Sequence, residues 1–329
     1  MDTSILDIDA KSLALAAKLI SGGDVVAFPT ETVYGLGANA FDECAVKKIY
    51  QAKGRPGDNP LIVHIADKAL IEKICLNVSD DAKKIMDSLM PGPITIVLEK
   101  NGKIPDCVTG GLNTVAVRMP SSPEAQAFLK ACKLPVCAPS ANTSTRPSPT
   151  TWKHVAEDME GKIPLILKGA DCQVGIESTV LDLTRETPLI LRPGIVTQSE
   201  IENVLGKKVG IPDKFDKSMN SPGIRYKHYA PKCDTYLNTD GDREKIKNFA
   251  LSLEKNVGIV ASDAYEKSFA GFKFFSLGNT VEDGAHNIFK KLRDAEKQCD
   301  AIIIIWDVKS EKADSVFNRV IKSCGGKTF

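Results

Sequence analysis

The sequence predicts an α/β protein with two domains, a larger one built on a mixed, open sheet and a smaller one built on a parallel sheet. Short apolar runs flanked by glycine, proline and polar residues recur along all 329 residues, and such runs are typical of strands. After residue 233 they alternate with helical patterns, as in parallel sheets, whereas in the first 205 residues they do not. A chain of this length also exceeds one ordinary hydrophobic core. We therefore expect domains at 1–205 and 233–329, joined by a linker at 206–232.

Composition and charge exclude several classes of protein. The formal net charge is +1, which argues against a protein that coats nucleic acid. The first ten residues carry three Asp and no cationic start, so no secretory signal is expected, and no apolar run approaches the ~20 residues that cross a bilayer. Nine cysteines without a CxxC pair are typical of reduced thiols in the cytoplasm. The spacing of Cys132, Cys137 and His154 does not fit a structural zinc site, and no protein-built metal site is predicted.

Helix caps and apolar runs place the elements of the first domain. Asp9 can cap a helix that ends at Gly22, the run Asp24–Phe28 predicts a buried strand, and Asp42 can cap a second helix. The polar, glycine-bearing segment Pro29–Gly37 is assigned to neither a strand nor a helix. Further strands are predicted at Leu61–Ile65, Ile94–Glu99, Thr114–Met119, Pro135–Ala138, Pro164–Lys168, Ile176–Leu183 and Pro188–Leu191, and further helices at Ser122–Cys132 and after a Thr197–Glu200 capping box.

The linker and the second domain differ in pattern. The linker is rich in Lys, Pro, Gly and Ser, but its stretch Ser221–Pro231 holds more aromatic and cationic residues than an inert tether needs. Beyond it, strands and helices alternate, which predicts parallel pairing. The predicted strands are Thr235–Leu237, Val257–Val260, Lys273–Phe275 and Ala301–Trp306, and the helices lie near Asp242–Glu254, Val281–Gln298 and Glu311–Ile321.

The stiffest loop of the chain, Lys53–Pro60, carries two cations, two glycines and two prolines. Such a segment cannot continue a helix or a central strand. Cations held still in a rigid loop favour an anionic ligand such as phosphate or carboxylate. A solvated surface turn explains the same composition, and the loop alone does not decide between the two interpretations.

Polar side chains stand at the ends of most predicted strands of the first domain. Ligands bind at strand ends in α/β sheets, so together these side chains indicate one polar cavity. Taken singly, His64 is equally well explained as a satisfied core histidine, and Ser140 and Asn142 as turn residues. The four cations Lys53, Arg55, Arg118 and Arg192 outnumber the local carboxylates, which favours a polyanionic ligand such as ATP. The polar residues are Thr32, Tyr34, His64, Arg118, Ser140, Asn142, Ser178 and Arg192.

Two nucleotide-binding motifs and one nucleophile motif are rejected. Gly35–Ala40 matches G-x-G-x-x-A, but the polar residues before it do not form the strand-to-glycine turn of a dinucleotide fingerprint. Gly325–Thr328 resembles the end of a P-loop but lacks the first glycine and a following helix. Ser140 lacks the G-x-S-x-G context of a serine nucleophile.

Six ordered motifs stand in the first ~200 residues. They are Phe28–Gly37, Lys53–Pro56 with Asn59–Leu61, Pro91–Pro93, Val117–Pro120, Ala138–Asn142 and Glu177–Val180. Together they resemble those of the YrdC-like threonylcarbamoyl-AMP synthases, and the linker with the α/β tail resembles the longer, two-domain form of that family. The resemblance implies a twisted, mostly open mixed sheet with a concave basic face, and a second domain similar to a small Rossmann fold.

The resemblance also implies a reaction, the ATP-dependent condensation of L-threonine with bicarbonate or CO2 to give threonylcarbamoyl-AMP and pyrophosphate. Partner enzymes would then transfer the threonylcarbamoyl group to tRNA next to the anticodon, and a weak direct contact with tRNA is a further expectation. Mg2+ would accompany the triphosphate of ATP. The chemistry requires no covalent protein intermediate, and His64 is the obvious titrating candidate if a general base acts.

Residue roles follow from the matched motifs. Lys53 and Arg55 are assigned to catalysis by neutralising phosphate charge, and Arg118 to the threonine carboxylate. The linker would act as a lid that keeps water from labile intermediates, with Tyr229 its first candidate for reaching the nucleotide, followed by Tyr226, Lys227 and His228. The predicted threonine site comprises Thr32, His64, Arg118, Ala138 and Ser178, and the predicted ATP site comprises Arg55, Asn59, Thr114, Ser140, Asn142, Ser148, Arg192 and Tyr229.

Two other functions are compatible with the same fold. One is a non-catalytic RNA-binding module that uses the concave basic face, against which the near-neutral charge and the lack of interleaved aromatics argue. The other is a carbamoyl-transfer domain of the kind found in hydrogenase-maturation proteins. The linker, the tail and the lack of zinc-finger cysteines argue against that alternative.

Overall fold

The structure is a computed structural model of the chain and describes residues 2–211 and 228–329. These residues form two compact units, of which the first takes 2–144, 149–173 and 177–211, and the second takes 145–148, 174–176 and 228–329. The predicted linker positions 212–227, with Tyr226 and Lys227, lie outside the described residues, so the predicted domain bounds stay a prediction. In the two described ranges, no helix is both long enough and apolar enough to cross a membrane.

A ten-stranded sheet forms the centre of the first unit. All but two of its strands lie within or next to a predicted strand, and the exceptions are the first and third. Because proline and glycine flank the apolar runs, the strands are short, at three to six residues each. The strands are β1 Ser4–Asp7, β2 Val26–Phe28, β3 Gly35–Asn39, β4 Ile62–His64, β5 Ile94–Glu99, β6 Thr114–Arg118, β7 Val136–Ala138, β8 Leu165–Lys168, β9 Thr179–Asp182 and β10 Leu189–Arg192.

The sheet is mixed, as predicted. Its order is β1-β8-β2-β3-β7-β4-β6-β5-β9-β10. Strands β4 and β6 are parallel, and so are β5 and β9, whereas β5 and β6 are antiparallel. Non-consecutive strands are therefore neighbours at the centre, which brings distant segments of the chain side by side.

Local hydrogen bonds begin the helices where the sequence predicts. Asp9 accepts from the Ser12 amide in a capping box, and Asp42 accepts from the amides of Cys44 and Ala45. The predicted box of Thr197 and Glu200 is also present. The helices are α1 Ala10–Ser21, α2 Glu43–Lys53, α3 Ile71–Ile74, α4 Asp80–Leu89, α5 Asp106–Thr109, α6 Pro123–Cys132, α7 Trp152–Met159 and α8 Gln198–Leu205, with a 3-10 turn at Lys68–Leu70.

The segment Pro29–Gly37 was predicted to be neither a strand nor a helix. Strand β3, which begins at Gly35, corrects that prediction for the end of the segment. The ring of Phe28, on β2, occupies the space beside β3, and a Cβ on Gly35 or Gly37 would approach it to 3.0 Å. A Cβ on Gly37 would also lie 2.8 Å from Val136 on β7. Glycine therefore permits the close strand approach, although glycine lowers β propensity and hides the strand from sequence patterns.

The second unit has a four-stranded sheet that is entirely parallel, which confirms the predicted parallel α/β domain. Its order is β11-β14-β12-β13. Arg293, fully buried, donates through Nη2 to the Pro147 carbonyl at 2.7 Å and so holds the short segment 145–148 within this unit. The elements are β11 Asp234–Asn238, α9 Arg243–Ser252, β12 Val257–Ala261, a 3-10 turn at Asp263–Phe269, β13 Lys273–Ser276, α10 Val281–Glu296, β14 Ala301–Ile305 and α11 Glu311–Ser323.

Candidate active site

Three polar side chains form a row across the centre of the first sheet. Arg118, the last residue of β6, pairs in register with His64, the last residue of β4, and with Thr95 on β5. Residues paired in register project from the same face of a sheet. All three are buried, although polar residues in such positions need partners. The row therefore marks a polar site within an otherwise apolar sheet.

Arg118 is the most connected member of the row. Its Nη1 donates to the Thr32 hydroxyl at 2.8 Å, and its Nη2 lies 2.8 Å from Glu31 Oε1. The second contact is an ion pair without hydrogen-bond alignment, and Arg118 Nε and Nη2 make no hydrogen bond within the described residues. Since buried donors are seldom left unused, these two N–H groups are available to a ligand.

Glu31 is a buried carboxylate that the sequence analysis did not single out. Burial acts to raise its pKa, but the positive charge of Arg118 acts in the opposite direction, and the pKa of Glu31 lies below its ordinary value. Glu31 is therefore ionised at neutral pH and offsets the charge of Arg118. The ion pair makes this part of the site electrically neutral before any ligand binds.

His64 is neutral and ordered by the backbone. Burial, followed by the nearby charge of Arg118, lowers the pKa of His64 to about 3. Its Nδ1 lies 3.1 Å from the Ile62 carbonyl, which can only accept, so Nδ1 carries the proton. The ring also stands edge-on to Phe28, with centroids 5.9 Å apart. The Ile62 carbonyl and the Phe28 ring therefore fix the position of the His64 ring from two sides.

Ser178, a predicted threonine-site residue just before β9, is bonded to Arg192, a predicted ATP-site residue. Arg192 donates to the Ser178 carbonyl through both Nε at 3.1 Å and Nη2 at 2.9 Å, and Nη2 lies 3.2 Å from the Ser178 hydroxyl. The Ser178 hydroxyl is also 2.8 Å from that of Thr95. The structure therefore joins Arg192 and Ser178 to the central row.

Lys53, at the end of α2, holds the loop that contains Ser140 and Asn142. Its buried ammonium donates to the Ser140 carbonyl and to the Asn142 carbonyl at 2.7 Å, and lies 3.3 Å from Asn142 Oδ1. The Ser140 hydroxyl in turn donates to Asn142 Oδ1 at 2.5 Å. A charged donor shared among these acceptors fixes the loop, because hydrogen bonds to ionised groups are the stronger ones.

Hydrogen bonds from a side chain of the loop Lys53–Pro60 to the loop's own backbone stabilise its conformation. Arg55 Nη2 donates to the carbonyls of Asn59 at 3.4 Å and Pro60 at 3.3 Å, and Gly54 adopts the left-handed conformation that ends α2. Lys53 and Asn59 are buried, so the loop is more than a solvated turn. An open pocket of about 540 Å³ lies beside it, lined by Gln51, Ala52, Lys53, Gly54, Thr143 and Lys162.

The remaining predicted residues fall in both units. Thr114 begins β6 and Ala138 ends β7, so both belong to the first unit. Ser148 and Tyr229 belong to the second unit, where both are buried. The Tyr229 ring packs on Phe289, with centroids 5.0 Å apart.

Sequence patterns did not reveal Thr30, Glu31 and Thr95. The first two precede a strand that its glycines concealed, and Thr95 is one polar residue inside an apolar strand. A polar side chain at a buried strand position was the available signal for Thr95. Glu31 has no local signal, because its partner Arg118 is 87 positions away in the chain. Thr30 contacts Thr32 only two positions away, but the sequence analysis singled out Thr32 alone.

Comparisons with family models match nearly the whole chain. Residues 18–194 match the Sua5, YciO and YrdC family, whose description is "Telomere recombination". Residues 196–325 match the model described as "Threonylcarbamoyl-AMP synthase, C-terminal domain". The two matches follow one another along the chain, as expected for a two-domain protein.

Individual relatives and a solved structure point to the same family as the two family models. The chain is 42% identical to the threonylcarbamoyl-AMP synthase of Pyrococcus abyssi over 97% of this chain and 95% of the relative, and 39% identical to that of Bacillus subtilis over 99% and 97%. The crystal structure of P. abyssi Sua5 in complex with L-threonine is similar at a TM-score of 0.93, with 41% identity and 99% of each chain covered. The chain therefore belongs to the two-domain Sua5 and YrdC family of threonylcarbamoyl-AMP synthases.

Proposed function

We propose that this protein condenses L-threonine with bicarbonate or CO2 and transfers the product to the adenylyl group of ATP, releasing pyrophosphate. The names of the relatives and the L-threonine complex of P. abyssi Sua5 support the proposal. The single observation that carries it is Arg118, whose buried Nε and Nη2 make no hydrogen bond within the described residues. A carboxylate can take both N–H groups as a bidentate partner.

The threonine site would be organised around that contact. With the α-carboxylate on Arg118, Thr32 and His64 lie close enough to contact the rest of the amino acid, because one bonds to Arg118 and the other pairs with it in register. A histidine with a pKa of about 3 is a weak base. We infer that His64 binds threonine and does not take the proton of its amine.

The chemistry proceeds by positioning and charge stabilisation. The neutral amine of threonine forms a C–N bond to CO2 as one C=O π bond opens, and the resulting carbamic acid loses its proton to water to give the carbamate. The carbamate oxygen then forms a bond to the α-phosphorus of ATP as the bond to the pyrophosphate oxygen breaks. Preorganised cations stabilise the charge that develops on the phosphates. Arg55 and Arg192 are the proposed cations, and Lys53 supports them by holding the loop of Ser140.

Within the first unit, the proposed ATP site keeps the residues that the motifs indicate, namely Asn59, Thr114, Ser140 and Asn142. Among residues 2–211 and 228–329, no group of three or more His, Cys, Asp or Glu could hold a metal ion. We propose that Mg2+ enters with ATP, coordinated by its phosphates and water. Transfer of the product to tRNA by partner enzymes, and a cytoplasmic location, remain part of the proposal.

Pyrophosphate release tests the proposal. The purified protein with Mg2+ and ATP should release pyrophosphate only when both L-threonine and bicarbonate are present. Arg118→Lys, which cannot form the bidentate contact, should reduce kcat/KM for L-threonine at least tenfold, whereas the exposed Arg185→Lys should leave it unchanged. Release without threonine, or with carbamoyl phosphate in its place, would contradict the proposal. Binding of tRNA without any release would favour the RNA-binding alternative.

A further inference from the structure

The hydroxyl groups of Thr30 and Thr32 form an ordered chain of hydrogen bonds. Thr30 Oγ1 donates to the Val33 carbonyl at 2.6 Å, and the oxygens of Thr30 and Thr32 are 2.9 Å apart. Thr30 Oγ1 also accepts hydrogen bonds from the backbone amides of Thr32 and Val33, each at 3.2 Å. At the other end, Arg118 Nη1 donates to Thr32 Oγ1 at 2.8 Å. Thr30 and Thr32 are both buried, so water does not replace these partners.

The direction of every bond in this chain can be deduced. A carbonyl oxygen only accepts, so the single proton of the Thr30 hydroxyl points at Val33. That proton is not available to Thr32, so Thr32 is the donor in the 2.9 Å contact between the two hydroxyls. This contact uses one lone pair of Thr30, and the two longer amide contacts at 3.2 Å share the other. Arg118 has no acceptor capacity, so Thr32 also accepts from it. The Thr32 hydroxyl has used its proton and one lone pair, and a single lone pair remains.

We propose that Thr30 is a specificity-determining positioning residue that makes Thr32 an obligate hydrogen-bond acceptor toward the substrate. This inference rests on the proposed function. Arg118 would recognise the carboxylate of the amino acid, and Thr32 would recognise an N–H or O–H group beside that carboxylate, on the amine or on the side-chain hydroxyl. A substrate that offers only an acceptor at this point leaves two lone pairs facing each other, which buried sites reject strongly.

Binding of L-threonine to the full-length protein, measured by calorimetry, tests the proposal. Thr30→Val removes the acceptor for the Thr32 proton while keeping the volume of the side chain. It should raise the Kd of L-threonine about tenfold, the effect of one hydrogen bond in a buried site. Thr30→Ser, which keeps the hydroxyl, should restore most of the affinity. Thr235→Val is the matched control, because Thr235 is also buried and also donates to a backbone carbonyl, but in the second unit.

A double-mutant cycle separates this role from simple damage to the turn. If Thr30 acts through Thr32, Thr30→Val should have no further effect on the Kd once Thr32→Val is present. Independent losses that add, or a wild-type Kd for Thr30→Val, would overturn the inference. If Thr32→Val weakens binding of L-threonine but not of L-2-aminobutyrate, which lacks the hydroxyl, the side-chain hydroxyl is the donor to Thr32. If it weakens binding of both amino acids equally, the amine is the donor. If the wild-type protein binds no L-threonine at all, the proposed function fails instead.

Discussion

Glu31 Oε1 lies 2.8 Å from Arg118 Nη2, and both side chains are buried in the centre of the first unit. The pair neutralises a cation that would otherwise stand alone in an apolar sheet. It also leaves Arg118 Nε without a hydrogen bond within the described residues, so the charge is balanced while donors stay available. In the proposed complex, the substrate carboxylate would therefore bind Arg118 while Glu31 stays in place.

Replacement of Glu31 by Gln should destabilise the protein by about 3 kcal/mol, because removing one partner leaves a buried charge uncompensated. Asp87→Asn is the control, since that carboxylate is exposed and its contact with Lys68 contributes at most about 1 kcal/mol. Urea unfolding followed by circular dichroism measures both. The pKa of Glu31 is lowered from 4.5, so the difference between wild type and Glu31→Gln should be full above pH 4.5 and shrink as the pH falls below it. Equal free energies of unfolding for wild type and Glu31→Gln would contradict a structural role for the pair of Glu31 and Arg118.

The pKa of His64 predicts a loss of stability in mild acid. The folded-state pKa is about 3, against an ordinary 6.5, so between these values the unfolded chain binds a proton that the folded chain does not. His64 should therefore lower the free energy of unfolding by about 1.4 kcal/mol per pH unit as the pH falls below 6.5. His64→Gln should show a shallower decline in urea unfolding between pH 7 and pH 5. An imidazole signal of His64 that titrates above pH 6 in NMR would contradict this expectation.

Lys53→Met tests whether the ammonium holds the loop of Ser140 and Asn142. Loss of the charged hydrogen bonds should destabilise the protein by about 3 kcal/mol and lower pyrophosphate release at least tenfold. Lys162→Met is the control, because Lys162 lines the same pocket but is exposed, and its replacement should change stability by less than about 1 kcal/mol. Thermal unfolding and the release assay give the two readouts. Wild-type stability together with a raised KM for ATP would assign Lys53 to the phosphates alone.

Arg192→Lys tests the link between the two predicted substrate sites. Lysine cannot reproduce the fork that Arg192 places on the Ser178 carbonyl, so Ser178 should lose its orientation. The KM for L-threonine and the KM for ATP should each rise about tenfold, a change of ~1.4 kcal/mol. Steady-state pyrophosphate release measures both constants, with the exposed Arg185→Lys as the control. A change in the KM for ATP alone would show that the two sites are independent.

The sequence by itself determined features that depend on neighbouring residues. The caps at Asp9, Asp42 and Thr197 were predictable, because a side chain and the amide it binds lie within three residues of each other. The parallel second sheet was also predictable, since its strands alternate regularly with amphipathic helices. The family motifs and the mixed character of the first sheet came from the same local information.

Only the tertiary structure decided which polar residues meet. His64, Thr95 and Arg118 form a row because β4, β6 and β5 pair in one register, and a shift of one residue would turn them to the other face. Glu31 reaches Arg118 across 87 positions of the chain, and no local pattern records that contact. Long-range register depends on the packing of whole elements, so the partners of Arg118, including Glu31, could not be read from the residues around them.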